Sequence, residues 1–434
     1  MLVLLVGWTL FALAHSYVLT AVPLVCGIAV LALLRGPVVG HRSTRWLDFA
    51  LILSLVAIGV QLLPVPSGLR GRLSPAAVAY DRAMRVGADA AADRPLSIDP
   101  AATLLALAVV AAVVVLFWTA RTIFQHGSVR ATTLAIASIG LVLSPLAILQ
   151  HLIPLPVIDQ AWGVTVRGLR PYGPFVNRND FAGWLIMALP LTIGYAVARM
   201  QSRHQPGESF EPEAAVDSRA ISLGIAVCLM LAGLLFSQSR SGLLGAAAAL
   251  VYFAWRSRRR LTAKRAAWAL AVLGISLGVA ATFADVDALS VRLQSSISEG
   301  LVGRLSIWHQ TVPVVRDFWL VGSGAATYQS VMVPYQTMSR LFYISHADNE
   351  LLQIVAEGGL LLGLPVMLTL VGGVQLVARR LREDRTAIFW LRVGAAAGMV
   401  AFFTQNMVEM TLRVPANAVL FAILAAIAVH EGTS

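Results

Sequence analysis

The chain has 434 residues, of which 58% are hydrophobic and 13% charged, against about 45–50% and about 25% in soluble domains. This composition excludes a soluble globular protein, and repeated apolar runs long enough to cross a bilayer predict an all-α, polytopic transmembrane bundle. The net charge of +11 indicates basic cytoplasmic loops in a membrane protein, so we expect no nucleic-acid ligand. Cys26 and Cys228 lie inside apolar runs, which argues against a disulfide framework and against a zinc site.

The first two apolar runs are separated by only two polar residues. Residues 2–14 form a short run and residues 17–34 a longer one, with His15-Ser16 between them. We interpret the two runs as a helical hairpin, and whether residues 1–15 form a full span stays open. The sequence Ala12-Leu13-Ala14 resembles a signal-peptidase site, so cleavage is the alternative, although no basic segment precedes it.

The remaining apolar runs bring the expected number of spans to about 12. These runs are residues 47–63, 101–119, 131–149, 180–198, 220–237, 241–255, 266–284, 351–377, 388–407 and 414–429. If the first hairpin or the short run at 241–255 does not cross the membrane, the number falls to about ten or eleven.

The distribution of these runs divides the chain into three regions. Residues 1–284 form an N-terminal membrane region with about nine spans, and residues 351–434 a C-terminal one with about three. Between them, residues 285–350 form a large polar loop in which we expect short helices. Arg304 begins an amphipathic segment there, with Ile307, Trp308 and Val315 on one helical face. Because loops meet ligands more often than scaffolds do, we expect this loop to carry the function.

The charge distribution predicts which side of the membrane the large loop faces. With a cytoplasmic N-terminus, the cytoplasmic intervals carry the whole net charge of +11, and the intervals on the other side sum to zero. The large loop and residues 64–100 and 150–179 therefore face away from the cytoplasm. ATP and sugar nucleotides are not normally available there, and the chain has no GxxxxGK[ST] loop. An enzyme at this face needs an activated substrate delivered within the membrane.

Three outward-facing side chains suggest chemistry. Arg240 lies in the polar sequence SQSRSG, residues 237–242, where small neighbours would leave room for a bulky anion. The planar donors of Arg240 and Arg304 suit phosphate groups. His346, just before the run at 351–377, can accept a proton from a sugar hydroxyl near neutral pH.

Each of these side chains also has a plainer interpretation. Arg240 could anchor a helix end at the membrane surface, and the Arg304 segment could be an amphipathic connector. His346 could be a solvated or capping residue. His151 and His309 are the competing histidines on the same face.

Several of these segments resemble the O-antigen ligase and polymerase superfamily. The sequence PFVNRNDFAG at 174–183 looks like the family's FVNRN(H)FAG stretch, and SQSRSG is similar to its SxSRSG element. Within the large loop, residues 303–308, 321–324 and 346–349 resemble the family's periplasmic loop. The sequences QLLPVP at 61–66 and PLSIDP at 95–100 resemble one bacterial branch. The resemblance covers most of the chain from residue 47, with its core at 174–377.

The resemblance implies a glycosyltransferase of the bacterial inner membrane that works at the periplasmic face without a metal or other cofactor. Such proteins move a glycan from undecaprenyl diphosphate to a hydroxyl of the lipid A core or of a growing polysaccharide. Attack from the opposite face of the sugar would invert the anomeric centre. Carried over by position, His346 would be the acceptor-activating base, Arg240 and Arg304 would hold the diphosphate, and Arg178 would assist them. The auxiliary polar positions would be Asn177, Asn179 and Asn349.

Other functions stay open at this point. Asp180 stands where many relatives have His, so the role of that His has no counterpart here. A transporter or lipid flippase would also have about 12 spans, and Gly358-Gly359 and Pro365 interrupt the run at 351–377 as in many transporter helices. A cell-wall polymerase is a second enzymatic rival. The sequence does not distinguish a ligase from a polymerase or a protein O-glycosyltransferase, and it specifies neither the glycan nor the oligomeric state.

Overall fold

A computed structural model describes residues 17–84, 93–153, 172–202, 218–260, 286–337 and 343–431. Within these ranges the protein is helical apart from one short antiparallel ribbon and one isolated bridge, between Tyr172 and Phe175. The ribbon joins β1, Pro64–Val65, to β2, Arg94–Pro95. The expected all-α membrane protein is therefore confirmed as a class.

The helices follow one another along the chain with short connections. The first nine are α1 (Tyr17–Arg35), α2 (Arg45–Gln61), α3 (Ser67–Leu73), α4 (Pro75–Met84), α5 (Pro100–Gln125), α6 (Val129–Leu152), α7 (Arg178–Ser202), α8 (Ser218–Ser237) and α9 (Arg240–Ser257). The remaining ones are α10 (Val286–Asp317), α11 (Tyr328–Val331), α12 (Glu350–Glu383), α13 (Ile388–Asn406) and α14 (Pro415–Val429).

Every predicted span that falls on described residues corresponds to a helix, whereas the runs at 2–14 and 266–284 lie outside them. In the described ranges, 6 helices are long and apolar enough to cross a membrane: α5, α6, α7, α8, α12 and α13. The other helices at predicted spans are shorter or more polar. The expected number of about 12 spans is therefore not confirmed.

The centre of the bundle is the contact between α7 and α13, whose backbones approach closely. A Cβ atom at Gly394 would lie 2.5 Å from the carbonyl oxygen of Pro190, and one at Gly398 would lie 2.7 Å from that of Met187. Small residues permit such contacts between membrane helices. The contact brings the first turn of α7 and the last turn of α13 to the same end of the bundle, where the candidate site lies.

A second apolar cluster lies at this same end, outside the bundle. Its buried side chains come from α4, α10, α11, α12 and the segments between them: Ala77, Ile98, Val314, Phe318, Tyr328, Val331, Met332, Ile344, Ala347 and Ala356. We call the unit built from residues 64–84, 93–99, 303–337 and 343–349 the cap. The sequence predicted two separate outward-facing loops, but the structure joins them in one unit.

Polar contacts hold the first segment of the cap in place. Arg70 donates to Asp81 at 2.8 Å and to the Pro95 carbonyl at 2.8 Å, and Arg94 donates to the same carboxylate at 3.0 Å. Tyr80 then reaches across and donates to the Ser330 carbonyl at 3.1 Å.

The large loop differs from its prediction in one respect. The Arg304 segment belongs to α10, a helix of 32 residues, rather than to a short surface helix. Its C-terminal part packs against the rest of the cap through Val314 and Phe318.

The break in α12 at Gly359 is a docking point for the cap. Gly359 has φ of 56°, in the left-handed region that favours glycine. Beyond the break, the Leu360 and Leu361 amides donate to the carbonyls of Trp319 and Leu320, at 2.8 and 3.0 Å. This contact accounts for a feature that the sequence shares with transporter helices.

The opposite end of the bundle is also closed by ion pairs. Asp48 accepts from Arg121 at 2.6 Å and from the Trp118 indole at 3.0 Å, and Arg392 donates to Asp384 at 2.8 Å. Asp48, Trp118 and Arg392 lie at the ends of predicted spans that border the intervals which the charge distribution places in the cytoplasm, and Arg121 and Asp384 lie in those intervals.

Cysteine labelling tests the orientation. In a chain whose Cys26 and Cys228 are replaced by Ala, Thr337→Cys should react with a membrane-impermeant maleimide in intact spheroplasts. Ser128→Cys should react only after permeabilisation, since it lies in the α5–α6 turn on the basic side. Both positions are exposed, so access to the reagent rather than burial decides the result. Labelling of Ser128→Cys in intact cells would reverse the orientation.

Candidate functional site

The candidate site lies where the cap meets one end of the bundle. The α8–α9 turn, the start of α7 and the α13–α14 loop come from the bundle, and α10 and residues 343–349 come from the cap. All of the residues that the sequence singles out for chemistry lie at this end.

The α8–α9 turn is tightly built. Gln238 has φ of 51°, which ends α8, and Ser239 caps α9 by accepting from the Gly242 amide at 3.2 Å. The Ser239 hydroxyl donates to the side-chain oxygen of Asn179 at 2.8 Å, and the Asn179 carbonyl accepts from Gln405 at 2.9 Å. The turn is therefore tied to both α7 and α13.

The small residues around Arg240 have a different role from the predicted one. Ser239 and Ser241 are buried, and a Cβ atom at Gly242 would lie only 2.7 Å from the Cβ of Ala182 on α7. Gly242 therefore lets α9 approach α7. Arg240 itself is half-buried as the first residue of α9.

Arg304 forms an ion pair with Glu409, from the α13–α14 loop. The same carboxylate lies 3.4 Å from the Ser241 hydroxyl and accepts from the Asn179 side chain. Burial raises the pKa of Glu409 to about 7, and the charge of Asp348 adds to this effect while Arg304 opposes it. Glu409 therefore links α10, α9 and α7 at the site, and it ionises near neutral pH.

His346 lies in an extended segment that is clamped from both sides. The amide of the next residue, Ala347, donates to Gln353 of α12 at 2.9 Å, and the Ala347 carbonyl accepts from Trp308 of α10 at 2.9 Å. The Nδ1 atom of His346 is buried and has no hydrogen-bond partner within the described ranges. Burial lowers the pKa of the imidazole, and the charge of Arg413 lowers it further while Glu357 opposes this. The ring is therefore neutral at neutral pH.

The segment after His346 turns sharply into α12. Asp348 has φ of 49°, and burial raises the pKa of its carboxyl while the charge of Arg304 lowers it. Asn349 caps α12 by accepting from the Leu352 amide at 2.9 Å, and its side-chain nitrogen donates to the Met407 carbonyl at 2.9 Å. Asn349 thus joins the cap to the α13–α14 loop.

The remaining predicted residues differ in exposure. Arg178 and Asn177 are exposed at the start of α7. The Asn177 side chain accepts from the Asn179 amide at 2.9 Å, as in a local turn. The structure therefore gathers Arg304, Asn179 and Ser241, the residue after Arg240, around Glu409, whereas Arg178 is exposed at the start of α7.

Three charged residues at this end escaped the sequence analysis: Glu357, Glu409 and Arg413. Arg413 donates to Glu357 at 2.7 Å and lies 3.8 Å from Glu350. Charge inside or beside an apolar run is costly unless it is paired, and Glu357 interrupts the predicted span at 351–377. That cost was the signal that could have drawn attention to these residues.

The described ranges contain no group of three or more His, Cys, Asp or Glu side chains that could hold a metal ion. The cations that converge on the site are guanidinium groups.

Comparison with known proteins gives one result. Residues 225–367 match the model of a family described as O-antigen ligase. The matched range contains Arg240, Arg304 and His346, while the start of α7 and the α13–α14 loop lie outside it. No curated protein matches the chain.

Replacement of Glu409 tests its ionisation. The folded pKa of about 7 lies above the ordinary value of 4.5, so the folded state holds the proton more tightly and loses stability relative to the unfolded state as the pH rises from 4.5 to 7. Glu409→Gln cannot ionise. The melting temperature of Glu409→Gln minus that of the wild type should therefore increase between pH 5.5 and pH 8, by differential scanning fluorimetry in detergent. A constant difference would mean that Glu409 is ionised throughout.

Proposed function

We propose, from the membership of this chain in the O-antigen ligase and polymerase superfamily, that it transfers a glycan from a polyprenyl diphosphate to an acceptor hydroxyl in polysaccharide assembly. The donor would be undecaprenyl diphosphate, and the site would face the periplasm of a bacterial inner membrane. The observation that carries the proposal is that a neutral imidazole, His346, and an arginine, Arg304, lie in segments joined by the Trp308–Ala347 hydrogen bond at one end of the bundle.

The acceptor end of the reaction would be at His346. A neutral imidazole can take the proton of an acceptor hydroxyl, and burial together with the charge of Arg413 keeps the His346 ring neutral. The acceptor oxygen then attacks the anomeric carbon while the bond from that carbon to the diphosphate oxygen breaks. The diphosphate leaves with the electron pair and stays on the lipid. Attack from the face opposite to the diphosphate inverts the anomeric centre.

The leaving-group end would be at Arg304 and Arg240. Negative charge develops on the diphosphate as the bond breaks, and donors that are already fixed in place stabilise it without reorganisation. Arg304 is fixed by its ion pair with Glu409, and Arg240 begins α9, next to Ser241, whose hydroxyl lies 3.4 Å from the same carboxylate. Arg178, exposed nearby, would meet the outer part of the donor.

The transporter alternative receives less support. Charged side chains of the described helices gather at the two ends of the bundle, as the ion pairs at both ends show. A transport path would need polar groups near the middle of the membrane. The break at Gly359, the other transporter-like feature, is occupied by contacts with the cap.

Lysine substitutions test the role of the arginines. Arg240→Lys and Arg304→Lys should lose most of the transfer activity, since lysine offers a point charge instead of a planar fork. The lysine of the Arg304→Lys variant retains a charge for Glu409, so the melting temperature of this variant should stay near the wild-type value. Arg316→Lys, at an exposed position on the same helix α10, is the matched control and should remain active. Full activity in both site variants would reduce these arginines to membrane-edge anchors.

Reconstitution tests the reaction and the base together. Purified protein is supplied with undecaprenyl-diphosphate oligosaccharide and either lipid A core or the same glycan as acceptor, and products are separated on a gel. A ladder of lengths identifies a polymerase and a single transfer a ligase. His346→Ala should bind the donor about as well as the wild type but transfer it at least about 100-fold more slowly.

The control for the base is His309→Ala, whose side chain is exposed on α10 and which should retain most activity. Wild-type transfer by His346→Ala would place the base elsewhere. Movement of the lipid-linked glycan across a bilayer without any new glycosidic bond would establish the transporter alternative.

A further inference from the structure

Glu357 is a buried carboxylate that the proposed reaction does not use. It is 3% exposed, and its oxygens accept from the amides of Ala326 and Tyr328, at 2.9 and 3.1 Å, and from the Gln353 side chain at 2.9 Å. Arg413 adds a two-pronged contact at 2.7 and 3.3 Å. A buried charge is tolerated only when it is paired and hydrogen-bonded, and Glu357 meets both conditions.

The same contacts lead to His346. Gln353 donates to Glu357 and accepts from the Ala347 amide at 2.9 Å, so its amide group is held in one orientation. The peptide that follows His346 is thereby fixed to α12, and Trp308 fixes its carbonyl to α10. Displacement of the Glu357 carboxylate would free Gln353, and the peptide after His346 would lose its contact with α12.

Arg413 is held on the other side of the same carboxylate. A paired Arg–carboxylate contact fixes the plane of the guanidinium as well as its position. Arg413 is 24% exposed at its side chain, and its charge acts on the imidazole of His346. The pair is therefore joined through Gln353 to the segment that carries His346.

We propose that Glu357 and Arg413 are a positioning pair for His346. Glu357 orients Gln353, which holds the backbone after His346, and it also holds the guanidinium of Arg413. The inference rests on the proposed function in one respect, that His346 is the base.

The two members of the pair act on the imidazole in opposite directions. Arg413 lowers its pKa and Glu357 raises it. The charged and titratable groups of the elements around the ring are Arg304 of α10, Tyr328 of α11, Asp348 of the same segment, Glu350 and Glu357 of α12, and Glu409 and Arg413 of the α13–α14 loop. Arg413 and Glu357 are the two whose charges act on the His346 pKa.

The test follows His346 directly. Purified protein is treated with diethyl pyrocarbonate, which reacts with neutral imidazole, and modification of the His346 peptide is measured by mass spectrometry from pH 4.5 to 8. In Arg413→Gln the midpoint should rise by about 0.5 unit or more, because a like charge disfavours the protonated ring. In Glu357→Gln it should fall, because an opposite charge favours the protonated ring. Arg413→Lys keeps the charge and should keep the wild-type midpoint.

Transfer kinetics provide the second measurement. Glu357→Gln and Arg413→Gln should lower kcat and leave KM for the lipid-linked donor near the wild-type value. The acidic limb of the pH–rate profile should move in the same direction as the midpoint of the modification reaction. Equal midpoints in the wild type and Arg413→Gln would overturn the inference, as would a lower midpoint in Arg413→Gln. If Glu357→Gln does not fold, the comparison of Arg413→Gln with Arg413→Lys decides alone.

The modification experiment needs no transfer activity, so its outcome is separate from that of the proposed function. If the wild type forms no glycosidic bond while the midpoints move as expected, the proposed function fails and the pair stands. If transfer occurs and the midpoints do not move, the pair fails and the proposed function stands.

Discussion

A buried negative charge at a membrane edge has to be surrounded by donors, and that requirement at Glu357 organises the end of the protein that carries the cap. Its donors come from the turn before α11, from α12 itself and from the α13–α14 loop. The Glu357 carbonyl also accepts from Gln61 at the end of α2 and from the Gly324 amide, both at 2.9 Å. One residue thus joins the cap to three parts of the bundle. Leaving such a carboxylate without partners costs several kcal/mol, so these segments are held together as a set.

The second ion pair at this end, between Arg304 and Glu409, has a different character. Glu409 has a pKa of about 7, raised chiefly by burial, so it holds its charge only weakly near neutral pH. Arg304 is therefore kept in place by a partner that can be neutralised. A diphosphate arriving at Arg304 would favour protonation of Glu409, and repulsion between the two anions would then be small. Arg413, by contrast, is paired with a carboxylate that is enclosed by donors.

The sequence predicted the positions of the described helices because hydrophobic length and charged boundaries are local properties, although the expected number of spans is not confirmed. The run predicted at 180–198 became Arg178–Ser202, and the motifs resembled the family whose model residues 225–367 match. Contacts between distant segments have no such local signature, so the union of the two outward-facing loops through Ala77 and Phe318 was not predicted. Gly242 was interpreted as room for an anion, whereas it permits the approach of α9 to α7. Only the position of the facing helix distinguishes the two roles of a small residue.

The site also shows how one membrane edge can hold both arginines and a neutral imidazole. Arginines close to a histidine lower its pKa, which helps a base remain unprotonated, but unpaired arginines at that depth would be costly. Carboxylates remove that cost, as Glu409 does for Arg304 and Glu357 for Arg413. Placed too close to the ring, however, they would raise its pKa again. The structure meets both demands by enclosing Glu357 in hydrogen bonds and pairing it with Arg413. Burial lowers the pKa of His346 most, and Arg413 lowers it further against the opposing charge of Glu357, so that the ring is neutral.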